Sequence, residues 1–154
     1  MATSTLLQYL DQSSSDGDYG ITASNRRQIE TYIAGGTIAA NDLVAFNFDT
    51  SGGETDGEIA LTVVKADSGS ANSIAVVGFA LAGASVGDKV DITVAGIHVS
   101  ANVAGAVAKG DRLSISATAG QADTYVNSDT VPIIGYALED DSTNVASVMV
   151  IKQF

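Results

Sequence analysis

The sequence predicts an all-β fold, a compact barrel or sandwich, from three observations. First, apolar residues fall in short runs that alternate with polar ones at a period of two, as in "KVDITVA" (Lys89–Ala95), where Val90, Ile92 and Val94 share one side. Second, only 6% of the chain is aromatic, so the apolar content is mostly Ala, Val, Ile and Leu, and the β-branched share suits pleated surfaces. Third, 16 glycines and repeated Gly/Asn-Asp pairs interrupt the runs at intervals that leave room for strands. The 154 residues are enough for one domain with an arm.

Residues 1–25 read as an extended N-terminal arm. "LLQYL" can form one helical turn, and "DQSSSDGDYG" is polar, acidic and glycine-containing. Residues 26–154 read as the β domain. "SNRRQIETYIAGG" carries a helix-cap signal, yet Ile29, Thr31 and Ile33 alternate with Gln28, Glu30 and Tyr32, which favours a strand. Strands are predicted at Asp42–Phe48, Ile59–Ala66, Ile74–Ala82, Lys89–Ala95 and Asp111–Ala117, then in "VPIIGYALE" and "VASVMVIKQF". In "KVDITVAGIHVSANV" the apolar set moves from even to odd positions around Gly96. A bulge or bend at Gly96 is expected to keep both sets on one core, and a tight hairpin is the competing reading. "VASVMVI" is apolar on both faces, the mark of a central strand or a subunit interface.

Charge and composition narrow the function. Eighteen acidic residues against seven basic ones give a net charge of −11, and Arg26–Arg27 is the one basic cluster. Nucleic acid is therefore not an expected partner, because binding to phosphates rests on Lys and Arg. The chain has no cysteine, which excludes disulfides, thiolate metal sites and cysteine nucleophiles. Its start lacks the basic and apolar regions of a secretory signal, and the apolar piece Ile74–Ala82 is too short to span a bilayer, so no membrane partner is expected.

Reactive chemistry is sparse. His98, the single histidine, is placed on the polar side of its strand as a solvated or hydrogen-bonded surface residue with no orienting acid in sequence. No G-x-S-x-G context supports a serine nucleophile, and "GAVAKGD" lacks the order of a phosphate loop. The carboxylate groups Asp16/Asp18, Asp49/Glu54/Asp56/Glu58, Asp88/Asp91 and Glu139/Asp140/Asp141 lack EF-hand spacing and read as acidic turns. No catalytic, cofactor-binding or metal-binding residue is assigned, and no enzymatic activity is expected.

The chain echoes itself twice. "VVGFALAGASVGDKVDITV" (Val76–Val94) and "IIGYALEDDSTNVASVMVI" (Ile133–Ile151) share one line, in which Gly78 and Gly135 are expected to let aromatic-bearing strands pack closely. "AANDLVAF", "SVGDKVDI" and "AKGDRLSI" share a turn in which Gly or Asn takes positive φ and Asp bonds nearby amides. Duplication of a β unit and convergence on common turn chemistry both fit.

With "RRQIETYIAGGTIAANDLVAFN", "AVAKGDRLSISATAGQA" and "VASVMVIKQF", these motifs over residues 26–154 resemble the head decoration (cement) proteins of tailed bacteriophages. The resemblance implies a homotrimer, made in the host cytoplasm and carried on the outer surface of the virion. There it clamps the major capsid protein against the pressure of packaged DNA, with no cofactor. Within it, Leu6, Leu7, Tyr9, Leu10 and Tyr19 of the arm would anchor to capsid, and Arg26 and Arg27 would meet its acidic groups. A carbohydrate- or surface-binding module of a phage fibre or adhesin is the alternative. The absence of Trp and the scatter of five Tyr count against that alternative.

Overall fold

Strand pairing follows the short alternating runs of the sequence. A computed structural model describes residues 27–49, 53–127, 130–141 and 143–154. Arm residues Leu6, Leu7, Tyr9, Leu10 and Tyr19, together with Arg26, lie outside the described residues. The elements are β1 (Gln28–Ala34), β2 (Leu43–Phe46), α1 (Asp56–Leu61), β3 (Thr62–Lys65), β4 (Val76–Ala80), β5 (Lys89–Asn102), β6 (Arg112–Ile115), β7 (Ala122–Thr124), β8 (Gly135–Ala137) and β9 (Val145–Val150).

The strands run β1-β3-β2-β4-β5, and β1 also pairs with β5, which closes a five-stranded barrel. The second half of β5 leaves that barrel and pairs with β9. From there the order is β9-β8-β6-β7, and a parallel bridge from Val103 to Ala122 returns β7 to the chain just past β5. The second set repeats the first. β1 is antiparallel to β5 and parallel to β3; the second half of β5 is antiparallel to β9, and Val103 is parallel to β7. The first echo therefore falls on equivalent strands, β4–β5 and β8–β9, of a repeated five-strand unit that shares β5; of the three Asp turns, those entering β2 and β6 are equivalent, and the one entering β5 is not.

The cores repeat as well. Val44, Val77, Ala80, Ile92 and Val94 fill the first barrel, and at the matching registers Leu113, Ile134, Ala137, Val148 and Val150 fill the second. Each aliphatic side chain fully buried in this way contributes about 1.5–3 kcal/mol. Size is exchanged between the copies: Tyr32 faces the first core where the second has Ala101, and Ala34 where the second has Val103.

Two sequence features set the strand geometry. Asp42, Asp88 and Asp111 each accept a bond from the amide three residues earlier, at 2.8, 3.2 and 3.0 Å, and the residue before each Asp has positive φ (Asn41 68°, Gly87 86°, Gly110 90°). Gly78 and Gly135 sit where a Cβ would lie 2.0 Å from the Thr93 carbonyl oxygen and 2.3 Å from that of Met149. The close approach expected at these two glycines is thus present in both barrels.

Three expectations are corrected. The first half of Ile59–Ala66 is helical, because Thr55 and Glu58 form a capping box that starts α1 and leaves only Thr62–Lys65 for β3. Gly96, at φ 90°, marks the hand-over of β5 from one barrel to the other, but the change of phase comes later, between His98 and Ala101, where Ser100 has φ 66°. Val90, Ile92 and Val94 consequently enter the first core, and of the odd-numbered set only Ala101 and Val103 enter the second, with Ile97 half-buried and Val99 exposed. His98 is buried, 1% exposed, instead of lying on a solvated face.

The barrels are joined end to wall. Leu43, Ala45, Ala66, Val76 and Phe79, on the outside of the first barrel, belong to the apolar cluster of the second. The β6–β7 turn is bonded onto them: Leu43 N–H donates to Gly120 O at 2.7 Å, Gly120 N–H to Ala66 O at 2.9 Å, and Ser68 N–H to Ser116 O at 3.1 Å.

Candidate functional site

The buried polar groups Asp42, Thr93 and His98 lie at the joint between the barrels. Asp42, 5% exposed, accepts from Ala39 N–H, from Lys65 Nζ at 2.9 Å and from Asn102 Nδ2 at 2.9 Å. His98 stacks on Phe79 with ring centroids 5.2 Å apart. Its Nδ1 lies 3.1 Å from Thr93 Oγ1 and its Nε2 3.2 Å from Asn41 Oδ1. With Nε2–H donating to the Asn41 oxygen, Nδ1 accepts from the Thr93 hydroxyl, and both ring nitrogens are used. Burial, and then the nearby charge of Arg27, push the His98 pKa down to about 4, so the ring is neutral. It is an internal strut. No group of three or more candidate metal ligands occurs among the described residues. No helix among them is long and apolar enough to cross a membrane.

Two surfaces expose large apolar side chains instead. The first is the outer wall of the second barrel. Strand pairing places Ile97, Met149, Tyr136 and Arg112 directly across from one another on β5, β9, β8 and β6. Tyr125 extends this row, because its N–H donates to Arg112 O at 2.7 Å and its ring lies under the Arg112 guanidinium at 5.4 Å. Tyr136 is 42% exposed. Tyr, Met and Arg are the types enriched in protein interfaces. The apolar outer side of "VASVMVI" is part of this wall: β9 is central in its sheet, its Ala146, Val148 and Val150 face is buried, and its Met149 face is half-buried.

The second surface is the open end of the first barrel. Phe46 packs on the end of the core and carries Tyr32, Phe48 and Phe154 around it, with centroids 5.8, 6.3 and 5.5 Å away. Phe48 and Phe154 remain about half exposed. A recess of ≈ 440 Å³ lies between Phe46, Phe48 and the Asp56, Ile59 and Ala60 side of α1. Beside Tyr32, Glu30 accepts from Lys152 Nζ at 2.9 Å and from the Tyr32 hydroxyl at 2.8 Å. The Lys152 bond, followed by that of Tyr32, holds Glu30 below the usual carboxylate range, while burial and then Glu30 raise the Tyr32 phenol well above its own.

A polar recess of ≈ 380 Å³ lies between β6 and β7, lined by Ser68, Ser114, Ser116, Asp123, Thr124 and Thr130 among others. Arg27 is half-buried just before β1, and its Nε is enclosed without a hydrogen-bond partner among the described residues. Its charge acts on His98 at the joint between the barrels. Sequence reasoning reached Met149 through the two-sided apolar character of "VASVMVI", but did not single out Arg112 or Tyr136.

No family model matches the sequence, and no curated protein matches it. Among solved structures the chain is similar to the N base of the head fiber gp8.5 of bacteriophage phi29, at 16% identity, over 82% of this chain and 96% of that chain, with a TM-score of 0.49.

Proposed function

We propose that this chain is a structural protein of a tailed-phage virion. In this reading it binds the outer surface of the capsid as a trimer and stabilises the shell against internal DNA pressure, without catalysing a reaction. The observation that carries the reading is the pair of exposed apolar surfaces on a body whose two cores are separately filled. A rigid double barrel with an adhesive wall and an adhesive end suits a clamp, since little order is lost when preformed surfaces dock. The motifs on which the resemblance to decoration proteins rests form the turns and the close-packed glycine strands of both barrels. The arm residues and Arg26–Arg27 retain their proposed role as capsid contacts, and the acidic balance suits a partner face that offers cations.

The test adds purified protein to undecorated expanded heads and heats them. Co-sedimentation with the heads and a raised temperature of DNA release are expected; unprotected heads with no bound protein would refute the clamp.

A fibre or adhesin module is the second reading, favoured by the hydroxyl-lined recess between β6 and β7, whose Ser, Thr and Asp groups match the donors and acceptors of a sugar. Tight, selective binding on a glycan array, lost in Asp123→Ala, would put it first.

A further inference from the structure

The internal duplication assigns a partner to each exposed surface. In the first barrel the row Ile29, Thr93, Phe79, Leu43 and Ala66 holds the positions that Ile97, Met149, Tyr136, Arg112 and Tyr125 hold in the second. The cross-strand registers match, and Ala66 N–H donates to Leu43 O just as Tyr125 N–H donates to Arg112 O. Thr93, Phe79, Leu43 and Ala66 are 0% exposed, because the end of the second barrel sits on them. On the second barrel Tyr136 and Arg112 are exposed and Ile97, Met149 and Tyr125 half-buried, while at the edge of the first row Ile29 is 42% exposed.

The converse holds at the ends. The end of the second barrel that seats on this wall is built by Ile115, Ser116 and the turn to Gly120. The first barrel has Phe46 and Asn47 at the positions of Ile115 and Ser116, since Phe46 is paired with Val63 as Ile115 is with Ala122. That end, with Phe48 and Phe154, has no wall against it among the described residues. Each molecule therefore carries a counterpart of each half of its internal joint, the end of the first barrel differing in that α1 follows where the second barrel has its turn to Gly120.

We infer that the chain associates head to tail with a second copy of itself, the Phe46–Phe48–Phe154 end of one molecule seating on the Met149–Tyr136–Arg112 wall of the next. Charge supports this occupant. The internal joint has Leu43 where the outer wall has Arg112, and the end that would meet Arg112 carries Asp56 beside its recess. An aromatic end meeting a Tyr/Met/Arg row matches the centre of a protein interface. The joint is heterologous, so it generates rings or filaments but not a two-fold dimer. The inference rests on the duplicated fold and needs no binding to a shell.

Native mass measurement of the full chain at micromolar concentration tests it. The wild type is expected as multiples of the 15.6 kDa chain. Arg112→Glu/Tyr136→Ala (wall) and Phe48→Ala/Phe154→Ala (end) are each expected as monomers. A mixture of the two is expected to form a one-to-one dimer, since one good wall and one good end remain. A wild-type monomer, either variant still assembling, or a mixture that stays monomeric overturns the inference. Because the chain has no cysteine, Phe48→Cys and Tyr136→Cys serve as a second measurement. Oxidation of their mixture is expected to give the mixed disulfide at least about tenfold above either self-pair, and equal yields would overturn it. The head-binding assay is read separately, so the failure of one proposal does not count against the other.

Discussion

The two barrels share strand order, pairing sense and core positions, yet they differ on the outside. The first has its wall sealed by Leu43, Phe79 and Thr93 against its neighbour; the second displays Arg112, Tyr136 and Met149. The residue types follow the surroundings. Where a wall is covered, the duplicated position is small or apolar. Where it is open, the position keeps the alternation but gains a hydroxyl, a guanidinium or a thioether. Duplication thus supplies the backbone, and the side chains record which copy lies inside the molecule and which faces outward.

The strongest way to break the comparison is at its common point. Gly78→Ala and Gly135→Ala each drive a methyl into the neighbouring strand's backbone, and each is expected to cost about 4 kcal/mol, with Gly78→Ala the worse because its contact is shorter. Denaturant unfolding measures both, and a loss below about 1 kcal/mol at either site would show that the two barrels do not share this crossing.

Next come matched positions with opposite outcomes. Phe79→Ala is expected to cost about 4 kcal/mol through the cavity it leaves under the second barrel, while Tyr136→Ala, on the open wall, costs below about 1 kcal/mol in the monomer. Equal losses would mean that the second wall is covered within the chain.

The joint should also weaken in acid. His98 has a folded pKa of about 4, below its ordinary 6.5, because burial penalises the charged ring. A group depressed in this way stabilises the fold fully above the unfolded value, and that stability is lost as the pH falls from 6.5 through about 4. Integrated over the window, the loss is about 3 kcal/mol. Unfolding curves at stepped pH should show the slope in the wild type and not in His98→Gln; an unchanged slope in the variant would assign the acid response to other groups.

The smallest contrast lies in the repeated Asp turn. Asp42→Asn, which leaves the half-buried partners Lys65 and Asn102 mismatched at a buried site, is expected to cost about 2 kcal/mol, and the more exposed Asp111→Asn below about 1 kcal/mol. Thermal melts of the two variants give the difference, and an inverted order would remove Asp42 from the joint.

Much of this was legible residue by residue. The Gly-Phe-Ala-Leu and Gly-Tyr-Ala-Leu lines identified the close-packed strands, since a crossing at backbone contact admits only glycine. The three Asp turns could be read because their bonds span three residues and need no tertiary partner. His98 could not. Its apolar neighbours Ile97 and Val99 mark the other side of the strand as the apolar one, and only the fold brings Asn41, Phe79 and Thr93 to its ring. The helix at Asp56–Leu61 was hidden because its apolar residues also fit a period of two, and the capping pair Thr55/Glu58 decided between them.

By itself, then, the sequence determined what depends on short range: strands from alternation, turns from Asn, Gly and Asp, and the glycine crossings. Which copy covers the other, which wall stays open and where β5 changes its phase were decided by tertiary structure. Those outcomes depend on contacts between residues far apart in the chain, where one buried face is exchanged for another and no local pattern records the choice.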